Sequence, residues 1–201
     1  MFHTRKIVEH LRKDPIMGAI VERVGPYGIG YREPTFETLV RSIVSQQLST
    51  KVARVIFERL ADAVPEVTPE NILKLRPTKM RRLGLSGQKT EYIRSLARHA
   101  RDGSLQFERL PEMDDEAVIQ CLTQVKGVGV WTAHMFLIFA LQRPDVLAVG
   151  DLGVRSAIRK AYGLEELPTP AEVEKMAAAW RPYSSAACWY LWRSLENEAA
   201  M

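Results

Sequence analysis

Cysteine is nearly absent from this chain of 201 residues. The two that occur, Cys121 and Cys188, are too few for a disulfide framework and too isolated for a zinc or iron–sulfur site. No apolar run approaches the roughly 20 residues needed to span a bilayer. The opening Met1-Phe2-His3-Thr4-Arg5-Lys6 has no apolar stretch behind it, so no secretory signal is expected. Low-complexity tracts and long linkers are missing too, and no convincing run of strands with turn signals occurs. Together these absences exclude a membrane span and a disulfide scaffold, and they point to the reducing cytoplasm.

What is present is a globular balance, 46% hydrophobic and 26% charged residues, with too much apolar content for a disordered chain. The net charge of +4 is mild, so placement carries more information than the sum. Basic residues cluster at Lys79, Arg81, Arg82, Lys89, Arg94 and Arg98, and again at Arg155, Arg159 and Lys160. A one-sided basic face would attract phosphates and make binding salt-sensitive, whereas a solvated helix face would do nothing of the kind. Charge alone leaves both readings open.

Helical periodicity dominates the chain. Phe36, Leu39, Val40, Ile43 and Val44 recur at three- and four-residue steps, and after the cap Ser49-Thr50 the pattern resumes with Val52, Ala53, Val55, Ile56 and Leu60. Further helices are predicted near 7–23, 69–74, 77–83, 88–101, 114–122, 130–141, 152–161, 170–179 and 182–195. Pro69, Pro77, Pro111 and Pro170 stand near helix starts, where the missing N–H is tolerated, and 65–69 and 103–111 read as loops. The expected fold is all-α, in two helical lobes. One comprises residues 35–115; the other combines 1–34 with 116–201, and a cleft between them is the expected ligand site.

The most specific local signal is Val125-Lys126-Gly127-Val128-Gly129, set between two predicted helices. Gly127 and Gly129 allow positive φ and close approach, and the second helix begins with amides pointing outward from the turn. Such a terminus binds phosphate irrespective of base sequence, and Lys126 can add a charge-assisted contact. Glycines also join helices merely because they turn chains. Downstream, an apolar stretch ends at Gly150, and Asp151 then precedes a helix. Asp151 is a good N-cap, and the cap amides and helix dipole would also hold a reactive carboxylate ionised and aimed.

Taken together, Leu39–Thr50, Leu83-Gly-Leu-Ser86, the hairpin with Trp131-Thr132-Ala133, Val149–Val154 and Trp180–Trp192 resemble the helix-hairpin-helix superfamily of DNA glycosylases. Within it they are most similar to the alkylation-repair branch, the 3-methyladenine DNA glycosylase II family, over about Pro34 to Trp192. Two departures are visible. Lys126 stands where many relatives have proline, and the extra N-terminal β-domain of longer members is lacking.

The resemblance implies that a damaged nucleotide is flipped from double-stranded DNA and its base excised, with Asp151 as the catalytic carboxylate. It places Trp131, Tyr183 and Met135 in the base pocket, Gln47 or Leu48 as the plug in the emptied stack, and Lys126, Gly127 and Gly129 on the backbone. It further implies Na+ or K+ on the carbonyls of Thr123, Val125 and Val128, no required cofactor and no iron–sulfur cluster. Strand-nicking members carry a lysine where this chain has Trp131, so a monofunctional enzyme is expected. His134, three residues beyond Trp131, reads as surface or packing, and Trp180, Trp189 and Trp192 as packing residues. The expected enzyme is a cytoplasmic monomer, nucleoid-associated in a prokaryote. The alternatives are a glycosylase for oxidised or deaminated bases, a non-catalytic DNA-binding module, and a helical protein-interaction domain.

Overall fold

The computed structural model describes residues 2–199, and every regular element among them is helical. In chain order the helices are α1 (Phe2–Leu11), α2 (Pro15–Val24), α3 (Phe36–Ser45), α4 (Thr50–Asp62), α5 (Pro69–Lys74), α6 (Pro77–Arg82) and α7 (Gly87–Arg101). After them come α8 (Asp115–Thr123), α9 (Val130–Phe139), α10 (Leu152–Ala161), α11 (Pro170–Ala177) and α12 (Ser184–Ala199). Short 3-10 helices cover Phe107–Glu112 and Ala178–Trp180. No helix among the described residues is long and apolar enough to cross a membrane.

The all-α expectation holds, with two local corrections. The single helix expected over 7–23 is two, because Asp14 caps a new one: its Oδ1 accepts from the Ile16 and Met17 amides, and Pro15 takes the first helical position. The loop expected over 103–111 contains a 3-10 helix with Pro111 inside it, whereas Pro69, Pro77 and Pro170 open their helices as expected.

The chain divides into two compact units, residues 32–141 and residues 1–31 with 142–201. In the first, α7 packs on α3, α5 and α6, and α8 packs on α9. Its core is built from the apolar stripes of these helices, with Leu39, Ile43, Leu60, Ile93, Leu96 and Leu137 excluded from solvent. Phe36, Phe107 and Phe136 form a chain of edge-to-face rings, 6.2 and 6.3 Å between centroids. That chain ties α9 to the elements before it. The hairpin helices therefore belong with the middle helices and not, as the expected partition at residue 116 had it, with Asp151.

In the second unit α12 packs on α2 and α10. It also carries a part-buried polar cluster. Asp14 Oδ2 accepts from Tyr162 Oη at 2.8 Å and from Trp180 Nε1 at 3.0 Å, joining residues up to 166 apart in sequence. Burial opposes ionisation of Asp14, but the Trp180, Tyr162 and backbone donors outweigh it and hold the carboxyl below its ordinary value. The stretch before Asp151 is irregular, and it is pinned to the start of α12: Ser185 N donates to Pro144 O, and Val146 N donates to Ser185 Oγ.

Candidate functional site

The hairpin turns on a glycine whose conformation and surroundings both oppose a side chain. After α8 the Val125 amide closes onto Leu122 O and the Val128 amide onto Val125 O, a turn that leaves Gly127 at φ +86°. A Cβ there would fall inside the Tyr92 ring, closer than 3.0 Å to three of its carbons. Gly127 thus serves both a left-handed conformation and a close approach. Gly129 does neither: its φ is −97°, and a Cβ there would meet open space. As N-cap of α9 it brings no side-chain oxygen to the first turn, so the helix opens on bare backbone amides.

Three side chains of the same unit hold this turn. Tyr92 lies beneath Gly127 and its hydroxyl accepts from Gln88 Nε2 at 2.6 Å. Gln46 Nε2 donates to Gly127 O at 3.0 Å across 81 residues of sequence. Lys126 is not simply a solvated tip cation, for its Nζ lies 2.7 Å from Glu91 Oε1.

The Gln46 contact joins the hairpin to the predicted plug loop. Gln47 there has φ +57°, an uncommon conformation for a residue with a side chain, and it is exposed. Leu48 follows, with Ser49 capping α4 through Val52 N. Leu48 is 38% exposed, Val130 52%, Trp131 49% and Leu152, directly after Asp151, 63%. Exposed apolar side chains thus accompany the predicted plug loop, the start of α9 and the residue after Asp151, although Tyr31, Val52 and Leu164 are comparably exposed elsewhere.

Asp151 closes a turn onto Ala148 O and caps α10. Its Oδ1 accepts from Val154 N at 2.8 Å and from Trp192 Nε1 at 2.8 Å, and the residue is 9% exposed. Two donors from different helices therefore fix the carboxylate plane, and hydrogen bonds to a charged group are worth about 1.5–3 kcal/mol each. Gly153 makes room for this: a Cβ there would stand 3.0 Å from Asp151 Oδ1 and 3.0 Å from Trp192 Cδ1. Trp192 is thus more than the packing residue expected from sequence. Nothing local signals its role, because it lies 41 residues beyond Asp151.

The remaining predicted residues divide. Trp131 and Met135 lie one turn apart on α9, in the unit of residues 32–141. Tyr183, in the other unit, is half-buried edge-on against His10, 5.3 Å between ring centroids. Burial pushes the His134 imidazole below its ordinary value, with Asp115 opposing, so His134 is not a ready cation. Of the expected basic face, Lys79, Arg81 and Arg82 are exposed in the last turn of α6. Three others are structural: Lys89 donates to Val44 O, Arg94 to Leu73 O and Leu75 O, and Arg155 to Pro168 O. The cysteines are free, and no His, Cys, Asp or Glu cluster among the described residues could hold a metal.

Comparison with known proteins bears on what these features serve. The family described as HhH-GPD superfamily base excision DNA repair protein matches residues 40–182. DNA-3-methyladenine glycosylase 1 of Schizosaccharomyces pombe is 36% identical over 183 residues, spanning 87% of this chain and 80% of that protein. A putative DNA-3-methyladenine glycosylase of Bacillus subtilis is 30% identical over 203 residues, 96% of this chain and 70% of that protein. Among solved structures, the S. pombe 3-methyladenine DNA glycosylase in complex with abasic DNA superposes with a TM-score of 0.84 at 35% identity. That likeness covers 94% of this chain and 95% of the other. A DNA-3-methyladenine glycosidase from Bacillus halodurans gives a TM-score of 0.84 at 36% identity, covering 95% and 89%.

Proposed function

The chain belongs to the HhH-GPD superfamily of base excision DNA repair proteins, and on that premise we propose that it is a monofunctional glycosylase for alkylated purines of the 3-methyladenine and 7-methylguanine type. It is a hydrolase of N-glycosidic bonds acting in base excision repair, and its partner is DNA. The observation that carries the reading is the Asp151 carboxylate, buried and held on one oxygen by Val154 N and Trp192 Nε1.

The chemistry follows from that carboxylate. A stacked nucleotide hides its glycosidic bond, so the base must first leave the duplex. As the bond to the purine lengthens, its electron pair moves to the base nitrogen and positive charge grows on the sugar. A carboxylate already fixed by its own hydrogen bonds stabilises that charge without reorganising. Water then bonds to C1′ and gives up a proton, with Asp151 as the nearby acceptor. An N3- or N7-alkylated purine carries its positive charge before cleavage and leaves neutral, so no acid is needed to protonate it. One carboxylate suffices.

The remaining parts hold the DNA. The Lys126–Gly129 turn and the start of α9 take the backbone phosphate, Leu48 or Gln47 fills the emptied stack, and Trp131, Met135 and Tyr183 supply apolar and aromatic surface to the base. The carbonyls of Thr123, Val125 and Val128 would hold Na+ or K+, which screens the phosphate there. The Val125 carbonyl can do so while accepting from Val128 N at 3.0 Å, because it has two lone pairs. Trp131 cannot form a Schiff base, so the product is an abasic site. We assign the protein as a monomer in the cytoplasm, nucleoid-associated in a prokaryote.

The test is release of methylated bases from alkylated duplex DNA by the native protein and by Asp151→Asn. The variant should lose about a hundredfold or more in excision rate while keeping its affinity for abasic DNA. Borohydride should trap no adduct with the native protein. Substantial excision by Asp151→Asn, or a trapped adduct, would refute the corresponding assignment.

A further inference from the structure

We propose that Glu91 is an internal stand-in for the DNA phosphate: its carboxylate holds the Lys126 ammonium when no DNA is bound, and so limits how tightly the protein grips any duplex. The proposal rests on the glycosylase reading for the role of the hairpin.

The pair is not a by-product of one helix's periodicity. Glu91 sits on α7 and Lys126 on the hairpin turn, 35 residues apart, with Nζ and Oε1 2.7 Å apart. Both side chains are more than half exposed, at 61% and 54%, so a phosphate has access to the same ammonium. The two backbones are also held in register. Tyr92, the neighbour of Glu91, lies beneath Gly127, the neighbour of Lys126, and Gln88 and Gln46 fix the two sides of that contact. Glu91 is therefore carried to the hairpin tip by a braced contact.

The consequence is electrostatic. If Lys126 moves to a phosphate, it must give up the carboxylate; if it bridges both, the phosphate is brought beside a like charge. Either route weakens the grip, and neither abolishes it, because the helix N-terminus still offers its backbone. An exposed pair of this kind alters binding only modestly. A modest brake suits an enzyme that must leave undamaged duplex and then its own product. Glu91 would thus act on affinity through Lys126 without touching the reacting atoms.

The experiment compares native protein, E91Q, K126A and the double variant on an undamaged duplex and on an abasic-site duplex, over a salt series. At low salt E91Q should bind both duplexes about two- to fivefold more tightly than native. Its advantage should shrink as salt rises, because salt screens the internal pair that E91Q removes. K126A should bind more weakly, and adding E91Q to K126A should recover little. A structural role for Glu91 would not produce a gain that depends on both salt and Lys126. Equal or weaker binding by E91Q, or an undiminished gain in the K126A background, would overturn the proposal. Absence of methylated-base release by the native protein would instead overturn the glycosylase reading, since the binding comparison is measured separately.

Discussion

A methyl group on Gly127 would enter the face of the Tyr92 ring, nearest to Cγ, Cδ2 and Cε2. The ring cannot yield cheaply. Cγ lies at the base of the side chain, so relief requires rotation near the backbone, and the hydroxyl is held by Gln88 Nε2 at 2.6 Å. Overpacking of this kind costs about 1–3 kcal/mol. The φ of +86° adds a second penalty, about 1–2 kcal/mol for a residue with a Cβ. Gly127→Ala should therefore lower unfolding free energy by about 2–5 kcal/mol, a large part of a typical domain's stability. Urea unfolding measures this directly. The two terms separate in a Tyr92→Ala background, where the ring is gone and only the φ penalty remains, so the same substitution should then cost about 1–2 kcal/mol. A change within about 0.5 kcal/mol of native, or an equal cost in both backgrounds, would refute the account of how this turn is built.

Trp192→Phe keeps an aromatic ring but removes the donor to Asp151 Oδ1, and it should slow excision by about tenfold or more with little change in DNA affinity. Single-turnover rates on alkylated duplex would show this, and an unchanged rate would reduce Trp192 to packing. Asp14 gives a pH-dependent prediction. Its carboxyl is held below the ordinary value of 3.8, so its stabilisation is fully present above that value and is lost as pH falls through the depressed folded value. Native protein should exceed Asp14→Asn in stability at neutral pH, and the gap should close under acid; a gap that widened on acidification would reverse the sign of the linkage.

Much of the local architecture was legible in the sequence because it depends on neighbours within four residues. The stripes of α3 and α4, the cap at Ser49, the first-turn prolines of α5, α6 and α11, and Asp151 as an N-cap are all of this kind. The Asp14-Pro15 break was equally local, a cap followed by a first-turn proline as at Thr68-Pro69 and Thr169-Pro170. Gly127 was legible as a turn residue, though not the Tyr92 ring that lies against it.

By itself, then, the sequence determined the helices, the hairpin and the aspartate. Tertiary structure alone decided what each is joined to. Packing along Phe36, Phe107 and Phe136 assigned the hairpin helices to the 32–141 unit. Pairing across 35, 41 and 81 residues set Glu91 on Lys126, Trp192 on Asp151 and Gln46 on Gly127. The reason is physical: a cap or an amphipathic stripe is written by backbone geometry within one or two turns. A hydrogen bond between distant side chains exists only once the packing of whole helices has fixed their separation to within a few tenths of an ångström.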